Sequence, residues 1–410
     1  MKNNPIRLPG HDRCTGCGAC VQTCPAACIT FEKDGLDAVY PAIDESACLQ
    51  CGACERVCHL QRKDFYGRSD TVYAAWSNND ADRRVSASGG AAAAVYRYAL
   101  DHGIKTFGVK LTQDFSARFF EIKNAEDIGK AQNSKYLFSY TDEVYPAVRQ
   151  YLKDGRNVIF IGLPCQVAGL LGFLGSRDKR LLTIDIICHG TCPEDYLKQH
   201  IDAVKKRCAP DAVSFRDPAY GTNRFVFSLR RDQKKLYASK VHAADVYQLG
   251  YHQALFYREN CYHCRYACPQ RVGDITISDF SGLGMTEPWE EPHDNISCVI
   301  CSSDAGAALL KALTDENRIT LIKRPADEAF LYEKQLRAPS VPHPSRNRFL
   351  EAYAASRRFE EVCAGIFADE IKKNRIRMML KADALRSLPR KLVPRKLKHM
   401  LKRILNKSNG

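Results

Sequence analysis

The residues of this 410-residue chain best equipped for chemistry are its nineteen cysteines, and they fall into runs. The run CTGCGACVQTCP, beginning at Cys14, returns as CLQCGACERVCH from Cys48, so each copy carries CxxCxxCxxxC. Three closely spaced thiolates can wrap one side of a 4Fe-4S cube, and in paired runs the fourth cysteine of each reaches the other cluster. The pattern assigns Cys14, Cys17, Cys20 and Cys58 to one 4Fe-4S cluster, and Cys24, Cys48, Cys51 and Cys54 to a second. Zinc also binds paired CxxC knuckles, but two complete four-cysteine runs with glycine between ligands favour clusters. His59 stands where the first run has a proline, and Cys28 is left over, read as a small buried residue rather than a ligand.

A second group of thiols is scattered. NCYHCRYACP, from Asn260, opens like half of another such run, with Cys261, Cys264 and Cys268. Upstream, GRNVIFIG reads as a buried strand leading into the helix-like QVAGLLGFLG, and RLLTIDIIC as a second strand leading into PEDYLKQHIDAVKKRC. Such a βαβα unit pairs its strands in parallel and brings its two strand-to-helix turns side by side at the carboxyl edge of the sheet, where α/β ligands collect. One turn carries Cys165 and the other Cys188. Two neighbouring turns then supply two thiols, and helix amino termini there favour their thiolate form. Cys192 and Cys268 each sit four residues beyond a proposed ligand and compete for the same role, and a set of plain buried thiols is the bland alternative. Cys298 and Cys301 have metal-like spacing, but their segment reads as a buried strand, in which residues three apart face opposite sides.

Taken with the cysteine-rich start, the segments NSKYLFS, GLPCQVAGL, DIICHG, SFRD and CYHC followed by GDITISDF resemble the family of coenzyme F-420 hydrogenase and dehydrogenase beta subunits over roughly residues 10–340. The resemblance implies a flavoprotein, with FAD as the flavin, and a further 4Fe-4S cluster in the α/β domain. By position, Cys165, Cys188, Cys261 and Cys264 match the family's cysteine motifs. For the flavin, Ser86, Ser88, Gly89 and Gly90 open an alanine-rich helix whose positive terminus suits a phosphate, although serine and glycine are also ordinary helix-start residues. The family's SKY segment adds Ser134, Lys135 and Tyr136, with the lysine read either as a neighbour of the reduced flavin or as a solvated cation. His189 is a candidate proton relay or a helix cap. Asp274 and Asp279 are candidates to orient backbone or cofactor groups, with turn caps as the alternative, and Ser281 stands where many relatives carry an aromatic residue, which leaves the substrate open.

The elements that must position these residues divide the chain in three. Residues 1–62 form a small bacterial-type 2x(4Fe-4S) ferredoxin domain. Residues 63–340 form a mixed α/β domain with a partly parallel sheet, and residues 341–410 a helical segment with a basic tail. The fold class is α/β, or α+β overall. The formal charge of +14 argues for nucleic acid only until it is located: residues 371–410 hold 14 Lys or Arg and one acidic residue, leaving a net of only +1 before them. Nucleic acid is therefore not expected as a partner. The tail suits an anionic membrane surface, an acidic partner or a solvated extension. The start MKNNPIRLPGHDRC has no apolar signal segment, and no run is long enough to span a bilayer. A cytoplasmic location, membrane-peripheral if the tail binds lipid, and reduced thiols are expected. The reading is an iron-sulfur flavoprotein oxidoreductase serving a protein or small-molecule redox partner. A noncatalytic electron-transfer subunit of a larger hydrogenase- or dehydrogenase-type complex is the alternative, and a membrane- or polymer-associated protein with structural clusters a third.

Overall fold

The computed structural model describes residues 6–379 apart from residues 64, 206, 241–242 and 292–294, so the basic tail beyond 379 lies outside the described residues. The cysteine-dense start folds around an antiparallel hairpin of β1 (Ile29–Lys33) and β2 (Val39–Ile43), flanked by the short helices α1 (Ala19–Thr23) and α2 (Ala53–Arg56). The internal repeat has a local physical basis. Gly18 and Gly52, each directly after the second cysteine of its run, adopt φ of 81° and 68°, a left-handed conformation that glycine adopts without a Cβ penalty. Each thereby starts a helix on the residue before the third cysteine of its run and turns the chain back on the ligands.

The main sheet has nine strands. In chain order they begin with β3 (Val72–Ser77), β4 (Lys105–Leu111), β5 (Ala117–Glu121), β6 (Ser139–Tyr140), β7 (Val158–Gly162) and β8 (Leu181–Ile186). A small antiparallel sheet of β9 (Ala212–Ser214), β10 (Val226–Arg231) and β11 (Lys234–Lys240) follows, before β12 (Ile275–Asp279), β13 (Ser297–Cys301) and β14 (Ile319–Arg324) return to the main one. The spatial order is β14-β3-β13-β12-β8-β7-β4-β5-β6. The pairs β4/β7, β7/β8, β8/β12 and β5/β6 are parallel and the rest antiparallel. This is the mixed α/β fold with a partly parallel sheet that the alternating pattern predicts. The central VIFIG of β7 is buried at every residue, as a parallel strand covered on both faces requires.

After the first two helices come α3 (Asp80–Val85), α4 (Ala91–Asp101), α5 (Ala125–Ala131), α6 (Val144–Lys153), α7 (Pro164–Leu174), α8 (Glu194–Val204), α9 (Val246–His252) and α10 (Glu259–Tyr262). Helix α7 begins with Pro164 in its first turn, where the missing N–H costs nothing, and ends at Gly175. It is buried almost throughout, because the ferredoxin-type module rests on it. A Cβ on Gly169 would lie 2.8 Å from Cys17 Cβ, and one on Gly172 would lie 2.2 Å from the Val57 carbonyl oxygen. The two glycines, one turn apart, make a flat strip against which the module packs. Beyond the sheet, the helices Arg346–Ser356, Phe359–Ile366 and Ala368–Met379 bury Phe349, Tyr353, Phe359 and Cys363 in the largest aromatic core, and Arg357 pairs with Asp37 at the tip of the β1/β2 hairpin. The module is thus held from two sides.

Candidate redox-cofactor site

Two thiol nests lie in the ferredoxin-type module. Cys14, Cys17, Cys20 and Cys58 are close enough for their charges to act on one another. Cys24, Cys48, Cys51 and Cys54 line one cavity, walled by Ile6, Ile29, Ile43 and Leu49. Cys28 lines it too, with its Sγ 3.4 Å from that of Cys24. The hydrogen bond between the two pushes the Cys28 thiol up to about 12.

A third nest forms between the module and the sheet. Cys165, in the first turn of α7, and Cys188, just past β8, arise from parallel neighbours β7 and β8; Cys261 sits in α10 and Cys264 two residues after it ends. All four line one cavity, together with Thr15, Gly16, Phe138, Tyr266 and Arg271. Cys192 and Cys268 do not line it. Cys192 Sγ turns to Tyr247 Oη at 3.2 Å and the Tyr136 carbonyl at 3.3 Å, and Cys268 Sγ to the carbonyls of Arg265 and Gln270 at 3.4 and 3.3 Å. No three His, Cys, Asp or Glu side chains among the described residues converge at the spacing of a single metal ion. The thiols ring a space instead, the arrangement a multi-atom group needs.

The helix-terminus effect expected to ionise Cys165 and Cys188 is outweighed. Burial, then the neighbouring thiols, push both thiols up, and burial raises Cys264 to about 11. Burial likewise pushes Cys17 up to about 12 and raises Cys14, Cys20 and Cys58. A metal held by such thiols would take the place of their protons, so occupancy and deprotonation would be coupled. Cys261 Sγ faces the Thr191 amide at 3.5 Å, the Thr191 hydroxyl at 3.8 Å and Asn260 Nδ2 at 3.7 Å, donors that suit a sulfur carrying negative charge. The nests therefore fit iron-sulfur chemistry by donor type, burial and sulfur-directed hydrogen bonds.

Two of the nests and a large pocket are contiguous. Cys17 abuts Gly169, which lies four residues along α7 from Cys165, so the two thiols share one helix face about a turn apart. On its other side the four-thiol cavity shares Leu163, Gln166, Gln335 and residues 187–191 with a pocket of about 840 Å³. That volume is within the ~300–1,000 Å³ typical of cofactor sites. Ser86, Ser88, Gly90, Ser134, Lys135 and Tyr136 line it, as do His189, Asp279 and Ser281. Gly89 does not: its amide donates to Ser297 Oγ at 2.9 Å, and a Cβ there would lie 2.3 Å from the Ala75 carbonyl.

Several of these side chains are held by partners within the protein. The Ser86 hydroxyl donates to the Asp82 carbonyl and that of Ser88 to the Ile296 carbonyl, both at 2.7 Å, so the serines shape the loop. The amide end of α4 remains. No side chain caps it, and Ala91, Ala92 and Ala93 face the pocket, which suits a phosphate. Lys135 Nζ donates to the carbonyls of Lys130, Ala131, Gln132 and Asn133 at 2.7–3.3 Å. It closes the end of α5. Burial pushes it down to about 7, against the four carbonyls that favour its charge. Asp274 accepts from Thr183, Tyr66 and Ser303 and so fastens strands together.

Sequence reasoning missed three groups. Arg216, in the SFRD segment, is buried, pairs with Asp279 at 2.7 Å and lines the large pocket. The glycines of α7 gave no signal beyond an ordinary helix. Arg258, three residues before Cys261, is 2% exposed, yet none of its three side-chain nitrogens has a hydrogen-bond partner.

Comparison with known proteins follows the same division. Residues 72–144 match the N-term profile, and residues 155–327 the C terminus profile, of the coenzyme F420 hydrogenase/dehydrogenase beta subunit; residues 13–61 match a 4Fe-4S dicluster domain. A subunit of the F(420)H(2) dehydrogenase of Methanosarcina mazei is 23% identical over 201 residues, 47% of this chain and 57% of that protein. The coenzyme F420-dependent sulfite reductase of Methanocaldococcus jannaschii is 31% identical over 170 residues, 38% of this chain and 24% of that protein. A solved structure of the F420-reducing [NiFe] hydrogenase complex from Methanosarcina barkeri contains a chain aligned at 16% identity and a TM-score of 0.43, covering 72% of this chain and 91% of that one.

Proposed function

The chain belongs to the family of coenzyme F420 hydrogenase/dehydrogenase beta subunits, and from that premise we propose that it is an iron-sulfur flavoprotein oxidoreductase. It would move electrons between a hydride-exchanging substrate or coenzyme and a redox partner, by way of FAD, a cluster in residues 63–340 and two clusters in residues 1–62. The observation that carries this reading is contiguity: the large pocket shares a wall with the four-thiol cavity, and that cavity meets Cys17 across Gly169.

When bound, the flavin supplies exchange of both electron pairs and single electrons, whereas a cluster handles one electron at a time. The chain's own residues do the rest. The amide end of α4 would receive a phosphate, and Tyr136, stacked on Tyr251 at 4.6 Å, would offer an apolar wall. Arg216 and Asp279 set the polar side, and His189, half-exposed on the wall common to both cavities, is suited to hold a proton beside the pocket. Cys165, Cys188, Cys261 and Cys264 would hold the cluster between pocket and module; Cys14, Cys17, Cys20 and Cys58 the next; and Cys24, Cys48, Cys51 and Cys54 the last. Cys51 is exposed, so the outermost nest reaches the surface where a partner docks.

Anaerobic purification with iron, sulfide and flavin counted together tests this. About 12 iron atoms and one flavin per chain are expected, falling to about 8 iron atoms in Cys165→Ser and Cys188→Ser. About 8 in the unmodified chain, unchanged by those substitutions, would sink the third cluster. An F420-type deazaflavin is the first carrier to assay, because two relatives are named for that coenzyme.

A second reading, an electron-transfer subunit that needs another chain for turnover, draws on the relative named as a subunit and on the shares of 57% and 24% that the matches cover in the two curated relatives. Turnover by the isolated chain with a dye acceptor separates the two. No helix among the described residues is long and apolar enough to cross a membrane. Peripheral contact through the tail is a further part of the proposal, tested by vesicle co-sedimentation with and without residues 380–410.

A further inference from the structure

Arg258 leaves an electrostatic account open. Its guanidinium is sandwiched between the rings of Tyr40 and Phe138, 4.5 and 4.3 Å from their centroids, and is 2% exposed. Nε and both Nη atoms lack hydrogen-bond partners, and no carboxylate lies within ion-pair distance among the described residues. A guanidinium is never neutral at working pH, and a buried charge persists only when paired. The other buried arginine beside the thiols, Arg271, obeys the rule: it pairs with Asp185 at 3.1 Å and donates to the Tyr266 and Cys268 carbonyls. Arg258 therefore calls for an anion that protein atoms do not supply.

The position identifies the anion. A Cβ on Gly16 would lie 2.9 Å from both Nη1 and Nη2 of Arg258, so the guanidinium lies against the backbone between Cys14 and Cys17. The Arg258 amide donates to the Thr191 carbonyl at 2.8 Å, and its carbonyl accepts from the Cys261 amide at 3.0 Å, which fixes the residue where the module meets the sheet.

We propose that Arg258 is a tuning residue of the cluster held by Cys14, Cys17, Cys20 and Cys58: its guanidinium is the buried countercharge to that cluster and raises its reduction potential. This rests on the ligand set proposed above. One-electron reduction adds one negative charge to the cluster, and a fixed neighbouring cation stabilises the more negative state with no proton transfer. A cluster bound there would thereby be the more readily reduced.

The experiment is a dithionite titration of the full chain followed by EPR, with iron counted in every sample. Arg258→Met, which keeps bulk and loses charge, should move one reduction step at least tenfold in equilibrium, 59 mV for one electron, to lower potential and leave the other steps in place. Arg258→Lys should keep most of that potential. Full iron with no shifted step in Arg258→Met, or equal shifts in both variants, overturns the proposal. Should Arg258→Met lose iron, the unmodified chain labelled with 15N-arginine decides. Nitrogen hyperfine coupling on the reduced cluster supports the proposal, and its absence overturns it. Failure of the cluster reading itself would appear separately, as missing iron in the unmodified chain.

Discussion

Substituting Gly172 by alanine asks whether the module truly rests on α7. On an exposed helix the change is stabilising by about 1 kcal/mol, the difference in helix propensity. On α7 it is not, because the new Cβ would lie 2.2 Å from the Val57 carbonyl oxygen and 3.3 Å from its carbon. A relaxed carbon-to-oxygen contact is about 3.3 Å or longer, so the module must withdraw by roughly 1 Å. The opposing atom is backbone and cannot rotate away, which puts the cost near the upper end of the ~1–3 kcal/mol for overpacking. The net expectation is a loss of about 2 kcal/mol, opposite in sign to the free-helix value. Bleaching of cluster absorbance in a thermal ramp reads the stability, and stopped-flow reduction of the module's clusters through the α/β domain reads the coupling. Both should fall in Gly172→Ala while iron content holds. A variant that bleaches at higher temperature than the unmodified chain, with the same reduction rate, would refute the docking of Val57 on this helix.

Three further outcomes follow from the site and its supports. Gly90→Val should lower flavin content without lowering iron, because Gly90 has φ of 83° and its Cβ would lie 3.1 Å from Ser77 Cβ; unchanged flavin would remove the α4 terminus from the binding site. Cys28→Ser should retain about 12 iron atoms, since the Cys28 thiol shares a hydrogen bond with Cys24 that a hydroxyl can also make; loss of about four would make it a ligand. His200 is buried between Asp245 and Glu360, at 3.0 and 2.8 Å. Burial alone would lower its pKa, but the two carboxylates push it up from 6.5 to about 10. The folded value exceeds the unfolded one, so its stabilisation is complete below 6.5 and is lost as pH rises through about 10. Breaking such a buried pair costs about 3–5 kcal/mol. The stability gap between the unmodified chain and His200→Gln, from denaturant unfolding, should be widest at the acid end of that window and close towards its alkaline end; a constant gap would mean the histidine is neutral.

What the sequence makes legible is what short-range geometry decides. The CGAC repeats carry their own turns, because a left-handed glycine between cysteines acts over a few residues. The meeting of Cys165 and Cys188 is also legible, since a βαβα pattern implies parallel strands and adjacent turns. Illegible are the features made by distant partners. Arg258 needs Tyr40 and Phe138, more than a hundred residues away in either case, before its isolation becomes visible. Gly169 and Gly172 look like weak points of a helix until the module covers them. Lys135 and the two serines show what residue type leaves out: they line the large pocket, and backbone carbonyls also hold them, nearby ones for Lys135 and Ser86 and the distant Ile296 carbonyl for Ser88.

The same local competition bears on how charge is distributed around the proposed relay. Arg271 weakens the burial effect on Cys188 and Cys264, but its charge is shared with Asp185, which is itself fully buried and held by the amides of Val272 and Gly273. The pair presents a dipole to the four-thiol cavity rather than a net cation. Arg258, against Gly16 between Cys14 and Cys17, has no such partner, and its charge is not shared with a carboxylate. Two arginines at similar depth thus do different work because one has a carboxylate and the other has only aromatic faces, whose attraction for a cation is of order 0.5–2 kcal/mol and does not neutralise it. An arrangement of this kind grades two adjacent sites without altering their ligands. It predicts that Asp185→Asn, by releasing Arg271 from its partner, raises the potential of the cluster at Cys165, Cys188, Cys261 and Cys264. The same EPR titration should therefore find a step moved upward in Asp185→Asn and one moved downward in Arg258→Met, on different clusters. A shift of the same step in both variants would show that the two arginines act on one cluster, and would refute the assignment of Arg258 to the module side.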